Sequence, residues 1–362
     1  MKRKTVIPIL FLAAVCALAA VAVIHRLQTR RLASVRVETA NLLPKLKIEE
    51  AAQFRLSWRN VSATLKKQDG NWVVVERGLP AEPAKVASFL EALATIRPLK
   101  RISPVDEKTM LRLRTFSEGF GTAVPGVRVE LKNRDGAVLL DLVMGRGHFL
   151  PDDTTPPDQR VPSGRYLAVR GADGEPVVFL TPSVFEDYHP VPGSWLKAPV
   201  FEQIAGALSI LWRELPDRTV WSISRNDPRQ PFQDAAGTRK ISGQGVSSLL
   251  SALSYRYSQD AFPRSHYKEM EPPFGELVVT DCFGVRRSLV FHRLKNDAST
   301  VVFQLNAAVV GRPSVQGGDP AGIVRRFLSA GKDVCYEMPV QVFEILTAAP
   351  FEPARKSSRP GK

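Results

Sequence analysis

The residues with the clearest chemical potential are Ser194 and Lys197, the Ser-x-x-Lys spacing at which one helical turn can bring an amine to a hydroxyl. The Ser-Asp-Asn and Lys-Thr-Gly companions of acyl-enzyme chemistry are absent, so the pair reads as part of a connecting turn. There is no GxxxxGK[ST] phosphate loop, no HExxH and no CxxC. Gly145-Arg-Gly147 and Gly317-Gly318 lack the strand–helix context that a phosphate cradle needs. The histidines His25, His148, His189, His266 and His292 are never four apart, so no helical metal pair forms. Asp152, Asp153 and Asp158 offer hard oxygen ligands without calcium-loop spacing and read as a solvated loop. The expectation is therefore a non-enzyme with no catalytic, cofactor or metal residues. Cys282 and Cys335 would be able to pair in an oxidising compartment, with buried free thiols as the alternative.

The elements that must position these groups begin with Val6–Ile24, 19 residues without a charged side chain. As a helix this run is about 28 Å long, enough to cross a bilayer core. The expectation is a transmembrane helix at 6–24, a cytoplasmic N-terminus at 1–5 and a juxtamembrane linker at 25–40. Ala20-Val21-Ala22 also offers a signal-cleavage site. Lys2, Arg3 and Lys4 precede the segment and Arg26, Arg30 and Arg31 follow it, a balance slightly favouring an inside N-terminus. The expected location is thus the bacterial inner membrane, single-pass, with the bulk of the chain periplasmic or otherwise extracytoplasmic.

Beyond residue 41 the pattern is globular. Phe54, Leu56 and Trp58 alternate, then Val61, Ala63 and Leu65, then Trp72 and Val74 after Asp69-Gly70-Asn71, which predicts strands and a hairpin. Val86, Phe89, Leu90, Leu93 and Ile96 then recur at helical spacing behind Pro83. The same order returns 150–160 residues later: Ile204 to Trp212 echoes Ile48 to Leu56, and Val246, Leu249, Leu250 and Leu253 repeat the helix phase. Gly126-Val-Arg-Val-Glu-Leu with Asp135-Gly136 matches Gly275-Glu-Leu-Val-Val-Thr with Phe283-Gly284, and Phe185-Glu186 matches Phe343-Glu344. The fold expectation is α+β, two related units of antiparallel sheet with packed helices, at 41–190 and 204–352. A connector at 191–203 joins them and a basic disordered tail occupies 353–362. Sheet edges exposed to a partner would offer strand addition.

The net charge of +14 raises a nucleic-acid reading. Six of the Lys and Arg residues lie in 1–31 and four in 353–362, both without acids, so only +4 remains over residues 32–352. Trp58, Trp72, Trp195, Trp212 and Trp221 are dispersed and read as packing residues, not a base-stacking platform. Nucleic acid is therefore not an expected partner, and no small-molecule substrate is identified.

Asn41-Leu-Leu-Pro-Lys-Leu, Leu65-Lys-Lys-Gln-Asp-Gly-Asn-Trp-Val-Val, Pro80-Ala-Glu-Pro-Ala-Lys-Val, Gly164-Arg-Tyr-Leu-Ala-Val and Ser194-Trp-Leu-Lys together carry a likeness. The chain resembles a bacterial domain-of-unknown-function family of single-pass envelope proteins encoded beside gliding-motility-type ABC transporters. Lys197 stands where that family usually has an acid. The resemblance implies a membrane-anchored accessory or scaffold protein whose partners are ABC transporter permease or auxiliary subunits in an export or gliding-motility-like complex. An envelope-polymer binding module, holding glycan or anionic polymer, is the alternative, and an unrecognised envelope hydrolase a third reading.

Overall fold

The computed structural model describes residues 46–353, apart from 118–122, 151–155, 157–158, 171–174, 256–257, 314–317, 330 and 332. Two compact units are distinguished. The first comprises the chain up to Lys66 together with Lys85–Pro190, and the second Lys67–Ala84 together with Val191 onward. The division differs from the expected 41–190 and 204–352 by that one segment, Lys67–Ala84, which groups with the second unit.

Strands β1 (Gln53–Trp58), β2 (Val61–Gln68), β3 (Asn71–Val74), β4 (Leu79–Pro80), β5 (Lys100–Arg101), β6 (Val127–Lys132), β7 (Val138–His148), β8 (Gly164–Arg170) and β9 (Pro176–Thr181) form one sheet. Its order is β4-β3-β2-β1-β6-β7-β8-β9-β5. Strands β10 (Ala207–Glu214), β11 (Arg218–Ser224), β12 (Gln233–Asp234), β13 (Asp260–Pro263), β14 (Gly275–Asp281), β15 (Val285–Leu294), β16 (Asp297–Val309) and β17 (Val334–Pro339) form the other, ordered β12-β11-β10-β14-β15-β16-β17-β13. Helices are few: α1 (Pro83–Ala94), α2 (Glu107–Leu113), α3 (Gly243–Ser254), α4 (Pro320–Phe327) and α5 (Val340–Thr347).

This corrects the expected α+β class. The described residues are mainly β, two antiparallel sheets with 21% helix. Short helices cover only part of each sheet, and much of the packing comes from the strands' own alternating side chains. The membrane assignment is corrected as well. No helix among the described residues is long and apolar enough to cross a membrane, α1 and α3 being the longest at 12 residues each. The 1–5, 6–24 and 25–40 segments, His25 and Cys16 lie outside the described residues, as do Asp152, Asp153, Asp158 and the tail beyond Pro353. The structure thus supplies no spanning element on which a single-pass inner-membrane placement would rest.

The two sheets follow one plan. Setting β1, β2, β6, β7, β8, β9 and β5 beside β10, β11, β14, β15, β16, β17 and β13 preserves every neighbour relation. A 3₁₀ turn precedes the first strand in each, Ile48–Glu50 and Ile204–Gly206. The β6–β7 turn places Gly136 at φ 82°, with Asn133 Oδ1 accepting from the Asp135 and Ala137 amides. The β14–β15 turn places Gly284 at φ 75°, with Asp281 Oδ1 accepting from Phe283 and Val285. Both glycines hold a backbone conformation that a Cβ disfavours. The match ends after the last strand, because Phe185 has φ 55° outside any helix whereas Phe343 lies in α5.

Each core follows from alternation. Phe54, Leu56, Ala63 and Leu65 are fully buried, and Phe54 meets Phe89 of α1 at 5.2 Å between ring centroids. In the second unit Trp212 lies edge-on to Phe291 (5.7 Å) and Phe343 (5.8 Å). Gly275 completes that cluster, since a Cβ there would overlap the Trp212 indole. Cys282 and Cys335 are both buried thiols and form no disulfide in the structure. Burial pushes the Cys335 thiol up to about 11.

Three outcomes are expected. Gly275→Ala, measured by denaturant unfolding, should cost about 1–3 kcal/mol through overpacking. Gly243→Ala, where a Cβ meets nothing within 4 Å, should be neutral or slightly stabilising. The raised Cys335 value means that the folded state keeps a proton that the unfolded thiol loses above pH 9, its ordinary value. Stability should therefore fall as pH rises from about 9 to 11, and Cys335→Ala should lack that component in unfolding curves taken across the range.

Candidate functional site

A strongly basic concavity lies in the first unit, where β5, α2, β7 and β8 converge on an open cleft of about 510 Å³. Sheet pairing sets β5: Lys100 and Arg101 face Leu180 and Phe179 of β9, and the Leu99 and Ile102 amides donate to Leu180 and Val178 at 2.7 and 2.8 Å. Asp106 caps α2 by accepting from the Thr109 amide at 2.8 Å, and Arg114 ends the helix in the left-handed conformation at φ 55°. Leu113 then anchors the helix against Ala168 and Val178, with Ile102, Val105, Val143 and Tyr166 around them. Gly145 permits this approach, since a Cβ there would stand 2.5 Å from the Leu113 carbonyl oxygen.

These constraints bring four cations to one place: Lys100 and Arg101 from the edge strand, Arg112 from the helix and Arg146 from β7. All four are exposed, and none forms an ion pair among the described residues. No acid is among the described residues lining the cleft. Within it the Tyr166 hydroxyl and His148 Nδ1 are 3.1 Å apart, and Phe149, 38% exposed, supplies an apolar wall. Two unit charges about 8 Å apart in water repel by roughly 0.5 kcal/mol before salt screening, so such a cluster is tolerated when empty and favours an incoming anion. Arginine stays protonated and offers forked N–H donors, which suits binding and not proton transfer.

The sequence-based candidates fall elsewhere. Ser194 lies in a 3₁₀ turn, Pro192–Trp195, and its hydroxyl donates to the Val191 carbonyl at 2.7 Å. Leu196 is already extended, so Lys197 is not one helical turn from the serine. His266 stacks on Phe262 at 4.1 Å, and His292 donates from Nδ1 to the Glu271 carbonyl at 3.0 Å. Of the described histidines, His148 is the one in the cleft. No group of three His, Cys, Asp or Glu side chains able to hold a metal occurs among the described residues. Of the tryptophans, Trp195, Trp212 and Trp221 are buried, and Trp221 Nε1 donates to the Thr347 carbonyl at 2.8 Å.

Several other charged groups are engaged within the protein. Arg287 and Asp281 form a buried pair at 3.0 Å, and Arg287 also donates to the Glu202 carbonyl. In the second unit Arg77 grips Asp260 with two hydrogen bonds of 2.9 and 2.6 Å and covers the Phe262 ring at 4.2 Å. The sheet edges offer little room for strand addition. The first sheet ends in β4 and β5 and the second in β12 and β13, strands of two to four residues, which leave little length to template another chain.

Sequence reasoning missed Lys100, Arg101, Arg112 and Arg146. The available signal was weak: the Lys100-Arg101 dipeptide and an arginine between two glycines, 45 residues apart. No family model, curated protein or solved structure matches the chain, so the likeness drawn from its motifs brings no residue to this cleft.

Proposed function

We propose that the protein is a non-catalytic binding protein whose first unit holds an anionic polymer in the basic cleft. The observation that supports this reading is the convergence of Lys100, Arg101, Arg112 and Arg146 without an ion pair or a lining acid among the described residues. Exposed cations drawn from three elements along an open cleft suit a chain that makes several modest contacts at once. A compact substrate held for chemistry would call for a more enclosed pocket. His148 and Tyr166 add hydrogen-bonding capacity at the cleft wall. An accessory role is inherent in the proposal, since the protein holds a charged chain and leaves its chemistry to others.

Fluorescence anisotropy with end-labelled polyphosphate as the probe tests it. With three or four cations engaged, raising salt from about 50 to 200 mM should weaken binding roughly 20- to 50-fold, using the slope per contact of single-stranded polyanions. The R101E/R146E double variant should lose more than about tenfold in affinity, a change of at least ~1.4 kcal/mol. Arg325→Glu, an exposed change in the second unit, should have little effect. Equal loss in both variants, or no binding by the wild type, would exclude the cleft as the site.

A further inference from the structure

His148 differs from the other polar residues of the basic cleft in that its charge can change. Imidazole is the side chain that gains or loses a proton between about pH 5 and 8, whereas lysine and arginine keep theirs throughout that window. The sheet places it. In the β7–β8 pairing His148 faces Gly164, so Tyr166 is its diagonal neighbour, and the Ser163 amide donates to the His148 carbonyl at 2.8 Å. Across that diagonal the Tyr166 hydroxyl and His148 Nδ1 lie 3.1 Å apart, with the two rings edge-on at 81°.

This partner suits both charge states. A tyrosine hydroxyl donates to Nδ1 when the imidazole is neutral and, by rotating, accepts from Nδ1–H when it is protonated, so the contact survives the change. The charged groups that line the cleft with His148 are Lys100 and Arg101 from β5, Arg112 from α2 and Arg146 from its own strand, and no acid is among the described residues of the lining. In the empty cleft a proton on His148 adds a fifth positive charge to these four. With a polyanion lying across them that repulsion is offset, and the imidazolium adds an attraction of its own. By linkage, whatever the polymer contributes to holding the proton, the proton contributes to holding the polymer.

We infer that polymer binding in the cleft is coupled to proton uptake by His148, so that the protein grips its anionic chain more tightly in mildly acidic surroundings and loosens it as pH rises. The coupling rests on the polymer reading of the cleft and adds to it the condition that regulates binding.

Anisotropy with end-labelled long-chain polyphosphate, measured at about pH 8 and about pH 5.5 over a range of salt, tests it across the imidazole window. Phosphates within such a chain stay ionised at both values, so the charge of the probe is constant. One further cation in contact should steepen the slope of log affinity against log salt by about 0.7, which at about 0.1 M salt is roughly fivefold tighter binding at the lower pH. Calorimetry at about pH 6.5 in two buffers of different ionisation heat should show a net proton taken up on binding. His148→Gln keeps a hydrogen-bonding group beside Tyr166 but does not titrate, so it should bind with nearly the same affinity at both pH values and lose the proton uptake. Wild-type binding with one affinity and one salt slope at both pH values, or a His148→Gln variant that keeps the full response, would overturn the coupling and leave the polymer reading intact. No binding at either pH would remove both.

Discussion

The constraint on which the first unit turns is where its long antiparallel sheet stops. A free edge strand would recruit other chains, and short or charged edge strands prevent this. Strand β5 is both, two residues long and entirely basic, held by Leu99 and Ile102 amides donating to β9. Edge protection accounts for Lys100 and Arg101, but not for Arg112 and Arg146, which come from a helix and an inner strand. Those two arrive because Gly145 lets the end of α2 lie directly on β7, with Leu113 as the anchor. The cleft is thus a product of sheet termination and close helix packing acting together.

The second sheet solves the same edge problem with opposite charge bookkeeping. Its corresponding edge strand, β13, carries Asp260, and that carboxylate is fully engaged by Arg77 over the Phe262 ring. Nearby, Tyr267 donates to Glu337 at 2.8 Å. Equivalent positions in two sheets of one plan are therefore neutralised in one unit and left bare in the other. Packing neutralises the second edge, whereas the basic one is protected by its own charge and, under the proposed binding role, would receive its counter-charge from a polyanion.

Strand identity and turns were legible in the sequence because period-two alternation and turn glycines are local signals. Phe54, Leu56, Ala63 and Leu65 point inward as their spacing required, and Asp69-Gly70 adopts positive φ at both positions, the geometry of a two-residue hairpin turn. Val86, Phe89 and Leu93 form the buried stripe of α1. The helical share was overread, because one strong helical pattern in each half suggested more helix than the sheets carry. Grouping of Lys67–Ala84 with the second unit had no local signature, its partners being distant in sequence: Arg77 pairs with Asp260, 183 residues away, and Ala81 with Leu196. The cleft was hidden for the same reason: its cations are separated along the chain and meet only through sheet register and helix packing.

The central claim is that an anionic chain lies across β5, the end of α2 and the end of β7. Amide hydrogen exchange of the whole protein with and without polyphosphate addresses it most directly. The account predicts slowed exchange confined to residues 99–102, 112–114 and 146–148, with the second unit unchanged. Protection centred on the second unit, or none in these three segments while polyphosphate is bound, would contradict it.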